Sequence, residues 1–406
     1  MALASTSRIN LRYKPESTFG VIASAGNSFD LRVTGESLKF DLTKEMSKEI
    51  NAARAVSSAV PVGASASGGI QGEMQYGEFD PLMIATLQNP ITAYGTNGVG
   101  ATFTATYTST TITAAVAPTG SSAFTGLQAG QWFIIQAATG LNAGTVFRVS
   151  KSVAPTTTVI TLDAGTPAQV ESTIASTSVA TSRLTNGTTQ TSFSIERQSL
   201  DTAQYFAYLG QTPSKMSINI ASGALSTISF DFMGKSAVRN TSSNLPGSVT
   251  ASLAYDIHSG VTGLETQVWE GGAPLTGTYV KSLTLDYDNA LRMQEAIGTL
   301  GAVSVASGQI VASMKASVYF ANGAIFDKFL ANTYTEFCFS SFDTSNNGYV
   351  FTAPRANISS YSITAGSKDQ DLMADIDIML LRDAGNATAG LRQVLFIDRC
   401  GAAVIP

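Results

Sequence analysis

Ser37-Leu-Lys-Phe-Asp41 and, about 245 residues further on, Ser282-Leu-Thr-Leu-Asp286 are the same short alternating segment written twice. Alternation of apolar and polar residues is the mark of a strand with one face buried. The stretches that come after the two segments match as well. Thr43–Arg54 is a polar excursion with Lys, Glu and Met at near-helical spacing, and Ala55–Ser67 continues it in small residues; Tyr287–Gly301 is its counterpart. Next, Ile70–Tyr76 alternates as Met314–Phe320 does, and Glu78-Phe-Asp-Pro-Leu-Met83 parallels Ile325-Phe-Asp-Lys-Phe-Leu330. Met216–Ile220, Gly223 and Ile228–Phe232 share the rhythm of Ile358–Ile363, Gly366 and Leu372–Ile378. The earlier matches recur about 245 residues apart and this last pair about 145 apart, and matches that recur in the same order mark an internal duplication.

Outside the shared units, Asn10–Tyr13 and Leu31–Thr34 read as strands, and Phe79–Leu87 reads as a helix with Asp80 as N-cap and Pro81 in the first turn. In the second copy the helix runs almost directly into the strand Glu336-Phe-Cys-Phe339, whereas about a hundred residues separate Leu87 from Phe193-Ser-Ile-Glu196 in the first. That difference marks an insertion. Within it Gly130–Ile135, Thr145–Val149 and Thr157–Leu162 are short strands between turns, and Trp132 is a candidate anchor for a small core. The expected organisation is a discontinuous first domain at 1–100 and 184–245, an inserted β domain at 101–183 that projects outward, a second domain at 246–383 and a tail at 384–406. Gly95-Thr-Asn-Gly-Val-Gly100 lacks the Lys-Ser/Thr ending of a phosphate loop and is expected to be a flexible hinge to the insertion.

Composition fits a β protein. Only 13% of the 406 residues are charged while 44% are apolar, which excludes a disordered chain and suits a surface hidden in an assembly. A net charge of −5 argues against gripping nucleic acid through its phosphates. Cys338 and Cys400 are expected to be free thiols. The start of the chain has no apolar leader core and no run of about 18 apolar residues occurs, so a cytoplasmic origin without a membrane span is expected.

The runs Asn10–Gly20, Gly35-Glu-Ser-Leu-Lys39, Gly63-Ala-Ser-Ala-Ser-Gly68, Gln204-Tyr-Phe206, Gly234-Lys-Ser-Ala237, Gly298-Thr-Leu-Gly301 and Asp327-Lys-Phe-Leu-Ala-Asn332, taken in this order, resemble the major tail tube proteins of long-tailed, siphovirus-like bacteriophages. The likeness covers about residues 8–383. It implies tandem tail-tube β-sandwich domains, each with one flanking helix, whose sheets join around a ring into an inner β-barrel. Six such domains per ring would make this chain a homotrimer with pseudo-sixfold symmetry. The partners implied are further copies of the chain, the tape measure, tail tip and tail terminator proteins, and double-stranded DNA passing non-specifically through the lumen. The family's long inter-strand loop touches the neighbouring ring, a role that would fall to Thr43–Ser67 and Tyr287–Gly301. As a mobile excursion, Thr43–Ser67 would order only on assembly. Localisation to the virion after synthesis in the host cytoplasm is implied by the same likeness.

Other chemistry finds little support. His258 is the only histidine, so a Ser-His-Asp triad would have to use it; a solvated turn residue is the expectation. The run Asp369–Asp377 places Asp375 and Asp377 on one strand face, with Asp231 comparable in the first copy, but calcium-loop spacing is absent. These acids are expected to form a polar face, a candidate channel lining that repels phosphate. No catalytic, cofactor-binding or metal residue is assigned. The alternatives are the inner tube of a contractile injection machine, a β-rich polysaccharide hydrolase, whose aromatic platform is not suggested by the distant Trp132 and Trp269, and an outer-membrane barrel or adhesin, which needs a leader and aromatic girdles.

Overall fold

The computed structural model describes residues 3, 5–137, 139–261, 268–275, 279–320, 322–365, 368, 370–383 and 393–401. Gly366, Asp369 and Leu391 lie outside them.

Eight strands form one antiparallel wall. In chain order they are β1 (Lys39–Met46), β2 (Ala59–Glu73), β3 (Gln204–Ala221), β4 (Thr227–Gly234), β5 (Val280–Asp288), β6 (Val311–Tyr319), β7 (Gly348–Thr364) and β8 (Met373–Leu380). Side by side they run β1-β2-β4-β3-β5-β6-β8-β7. The first four come from one copy and the last four from the other, and β1-β2-β4-β3 has the same internal order as β5-β6-β8-β7. The sequence repeat is thus a spatial repeat. The copies meet where β3 pairs with β5, from Lys215 opposite Asp288 to Ala221 opposite Ser282.

Period-two patterning fixes which way each strand faces. Met216, Ile218, Ile228, Phe230, Leu285, Tyr287, Ile376 and Ile378 are buried in one core shared by both copies. The residues between them are polar and line the opposite face. β3 and β7 are long, 18 and 17 residues, and each leaves the wall to enter a second layer. Both have irregular pairing at the corner, between Pro213 and Lys215 and between Ile358 and Ser360. A bulge bends a strand there, and one of the few strand positions Pro tolerates is a bulge.

In the first copy the second layer comprises Ser28–Leu31, Ile9–Pro15, Phe193–Ser199, the start of β3 and Ser236–Asn240. In the second it comprises Val268–Glu270, Tyr334–Phe342, the start of β7 and Phe396–Cys400. The C-terminal stretch set apart as a tail therefore supplies, at Phe396–Cys400, the counterpart of Ser236–Asn240; its residues 384–392 and 402–406 lie outside the described ones.

The excursion at Thr43–Ser67 is not a loop. β1 and β2 pair from Lys39 opposite Ser67 to Met46 opposite Ala59, with one register shift after Thr43, making a ribbon whose first strand is exposed at every residue. Its near-helical charge spacing misleads because neither face is buried, so the pattern carries no period to read. The second copy's arm differs: it bends after Asp288 and carries a separate hairpin, Arg292–Gln294 against Ser304–Ala306.

Both expected helices are present, α1 (Asp80–Leu87) and α2 (Ala324–Leu330). Asp80 is not the N-cap, however; Phe79 holds that position, and Asp80 sits fully buried inside the first turn.

Between Phe103 and Ala180 the insertion folds as its own six-stranded sheet, adding Phe103–Tyr107, Thr111–Ala114 and Glu171–Ala180 to the strands read from sequence. The run Trp132-Phe-Ile-Ile135 is apolar throughout because both faces of its strand are covered. Phe133 and Ile135 enter the insertion's own core. Trp132 and Ile134 instead face the second copy, against Trp269, Cys338, Phe342, Val350 and Cys400. Trp132 is therefore a docking residue and not the anchor of a private core.

Candidate assembly surfaces and channel wall

The joint between insertion and second copy is built from buried polar contacts as well. The Trp132 ring lies 4.7 Å from Trp269, and its Nε1–H donates to Thr352 Oγ1 at 3.1 Å. Arg183 donates to both oxygens of Asp398 at 2.6 Å, and a third donor, the Trp132 backbone N–H, reaches the same carboxylate at 3.0 Å. Glu336 accepts from Arg148 and, at 2.7 Å, from Lys151. Burial pushes the Glu336 carboxyl up, but these two cations outweigh it and hold the group below its ordinary value. Nor is Gly95–Gly100 a flexible hinge. It is a tight turn with Gly95 and Gly98 at positive φ, fastened by Thr181 N–H to Gly98 O at 2.8 Å and Gly100 N–H to Val179 O at 2.9 Å. The two tryptophans, distant in sequence, end up as buried packing and offer no exposed sugar platform.

The polar face of the wall carries Asp41, Glu73, Asp231, Asp286, Asp288, Asp375 and Asp377 among Lys39, Lys215 and Lys315. Acids are thus in excess, though interspersed: Lys215 stands 3.5 Å from Asp286 and opposite Asp231, and Lys315 is opposite Asp377. Asp375 and Asp377 are exposed on that face, as their spacing suggests. Among the described residues no group of three His, Cys, Asp or Glu could hold a metal ion.

Two wall edges carry no partner strand among the described residues, β1 at one end and the wall half of β7 at the other. The internal joint shows what such an edge looks like when paired, with Met216, Ile218, Leu283, Leu285 and Tyr287 all buried. At the open ends the comparable apolar residues are uncovered: Phe40 and Leu42 are each 40% exposed and Ile363 is 46% exposed. Charged residues Lys39, Asp41, Lys44 and Glu45 punctuate the β1 edge, a common guard against stray pairing.

His258 is buried, not solvated. Its Nδ1 lies 3.1 Å from Ser341 Oγ, its ring is 6.1 Å from that of Tyr349, and burial lowers its pKa to about 4. A neutral core imidazole next to a serine, with no carboxylate beside it among the described residues, is not arranged as a triad base. Cys338 and Cys400 are free and buried, and burial pushes the Cys338 thiol up to about 12, which makes it inert as a nucleophile. No helix of the described residues is long and apolar enough to cross a membrane.

With the duplicated wall in view, comparison with known families is decisive: the phage tail tube protein family model matches residues 6–196 and again 174–380. The chain belongs to the phage tail tube protein family. No curated protein matches it. Membership makes this tail tube protein a structural component of the virion that assembles with its own copies and with other tail proteins. The exposed arms, open edges and polar wall are the surfaces available for that work. Sequence reasoning locates the arms and the acids of the wall, and a ring calls for edges that pair between neighbours, but the residues do not say which strands those edges are. A free edge is a property of pairing, and only the strand order reveals it.

Proposed function

We propose that this tail tube subunit polymerises as stacked rings of three chains around a DNA-conducting channel, each chain supplying two of six wall units. The observation that carries this reading is the β3–β5 joint. It joins the last strand of one quartet to the first strand of the next, and the chain's two open edges are the same two strands, β7 and β1, of equivalent quartets. Joining β7 of one chain to β1 of its neighbour repeats the internal joint; with six units per ring, as the family resemblance implies, the third chain meets the first, every edge is paired and the ring closes. The apolar residues Phe40, Leu42 and Ile363 would then be covered as their counterparts Leu285, Tyr287 and Ile218 are.

The polar face of the wall then lines the lumen, where its excess of carboxylates repels DNA phosphates and lets the duplex slide. The arm tips, including the exposed Ile50 and Ile297, reach toward the adjacent ring. Negative-stain microscopy of purified protein mixed with tail tips tests the reading. Hollow tubes with three-fold rings are expected; particles that never extend beyond single chains would refute it. A contractile injection tube remains the second reading, and it is favoured only if a sheath is found to coat the insertion's outer surface.

A further inference from the structure

The two copies differ most at their helices. α1 is buried along its length, with Leu82, Met83 and Leu87 in the shared core, whereas α2 has no buried residue, and its Phe326 and Leu330 are 37% and 66% exposed. α1 packs on β3 of its own copy and beside Ser182–Thr185, and the other copy closes over both its ends. At its N-terminal end Asp80 Oδ2 lies 2.7 Å from Arg399 Nε, and Asp80 Oδ1 accepts from the Tyr349 hydroxyl at 2.5 Å. At its C-terminal end the base of the second arm closes over it: Asn289 Nδ2 donates to Thr86 O at 2.7 Å, and Gln88 and Ser307 are joined through their side chains at 2.7 Å.

Strand pairing identifies the counterpart of Arg399. In the second copy the cross-strand row Phe339–Phe351–Ile397 faces the core, and two residues along lies the row Ser341–Tyr349–Arg399. In the first copy Ile195–Tyr208–Ala237 faces the core, and two residues along lies Arg197–Phe206–Arg239. Arg239 therefore occupies the place of Arg399. It is exposed, and among the described residues its guanidinium is engaged only by the neutral Gln204 side chain. The counterpart of Phe79-Asp80 is Phe326-Asp327, where Asp327 is exposed, one turn further into its helix and so on the same side of it, with no ion pair among the described residues.

We infer that in the assembled tube Asp327 of one chain pairs with Arg239 of the next, and that α2 is covered by that neighbour's outer sheet and first arm as α1 is covered in cis. This rests on the head-to-tail ring proposed above. Phe206 has no hydroxyl to match Tyr349, so the charge pair carries the recognition at this point. It also gives the edge a polarity check, because only the correct end of a neighbour presents the arginine.

A charge exchange tests it in the full-length chain, with tube formation measured by sedimentation and microscopy. Asp327→Arg and Arg239→Asp should each raise the concentration needed for assembly by at least about thirtyfold, as expected when a buried pair loses one partner. Both sites are exposed in the single chain, so each variant should melt as the parent does. The doubly exchanged chain should recover assembly. Unchanged assembly of the single variants, or a double variant no better than either, would overturn the pairing while leaving the ring intact. Failure of the parent chain to form rings would overturn the ring reading and this inference with it.

Discussion

The helices α1 and α2 descend from one ancestral segment, yet one is sealed and the other bare. The residues account for little of this difference: Phe79-Asp80 and Phe326-Asp327 are alike. What differs is the neighbour. α1 lies where the two copies meet and α2 on the side of the wall that carries the open β7 edge, so in the proposed ring the covered helix is the pattern for completing the uncovered one. In the proposed ring the same holds for the strands, the β3–β5 joint being the pattern on which the open edges at β1 and β7 would pair.

Disrupting the covered helix should cost most. Asp80→Ala leaves the Arg399 guanidinium buried without its partner and should destabilise the chain by about 3–5 kcal/mol in urea unfolding, whereas Asp327→Ala should change monomer stability by no more than about 0.5 kcal/mol. Equal effects would mean the two helices are not in different environments.

Next in size is Trp132→Ala. Its buried ring joins the insertion to the second copy, and truncation should lower stability by about 3–5 kcal/mol, with protease cleavage appearing in the turn at 95–100. If cleavage there is already rapid in the parent chain, the insertion is hinged and not docked.

A change of pH probes the sealed side of the molecule through His258. Its folded pKa of about 4 lies below the ordinary 6.5, so below pH 6.5 the unfolded chain takes up a proton that the folded chain does not. Stability should fall as pH drops from 6.5 towards 4, by about 3 kcal/mol over the window from this group. His258→Asn should lose that part of the pH dependence, measured as the difference between the two unfolding profiles.

The remaining effects spare the fold. Removing the first arm's tip, residues 47–58, should leave the melting temperature within about 1 °C of the parent, since those residues contact little, but should yield chains that never form tubes. Replacing Asp231, Asp375 and Asp377 with Lys should leave assembly in place and slow DNA ejection from the phage; ejection at the parental rate would remove the lumen from that face.

Much of this architecture is legible in the residues alone. Duplication, wall strands, both helices and the insertion all announce themselves, because a half-buried strand must alternate and a repeated unit must repeat. Other features are not. The first arm has no buried face, so its residues carry no period. Asp80 looks like a cap because acids at helix starts usually are; its partner Arg399 lies more than 300 residues away, in a stretch that reads as a tail. Trp132 and His258 read as belonging to a private core and to solvent, respectively, because contacts between distant segments leave no local signature. Similarly, the acids of the wall are visible as alternating aspartates, but the lysines set among them come from other strands.

Cryo-electron microscopy of the assembled tube bears on the ring without intermediaries. Three chains per ring are predicted, with β7 of each running antiparallel beside β1 of the next in the manner of β3 beside β5. A ring of six chains, or one in which those two edges remain unpaired, would contradict it.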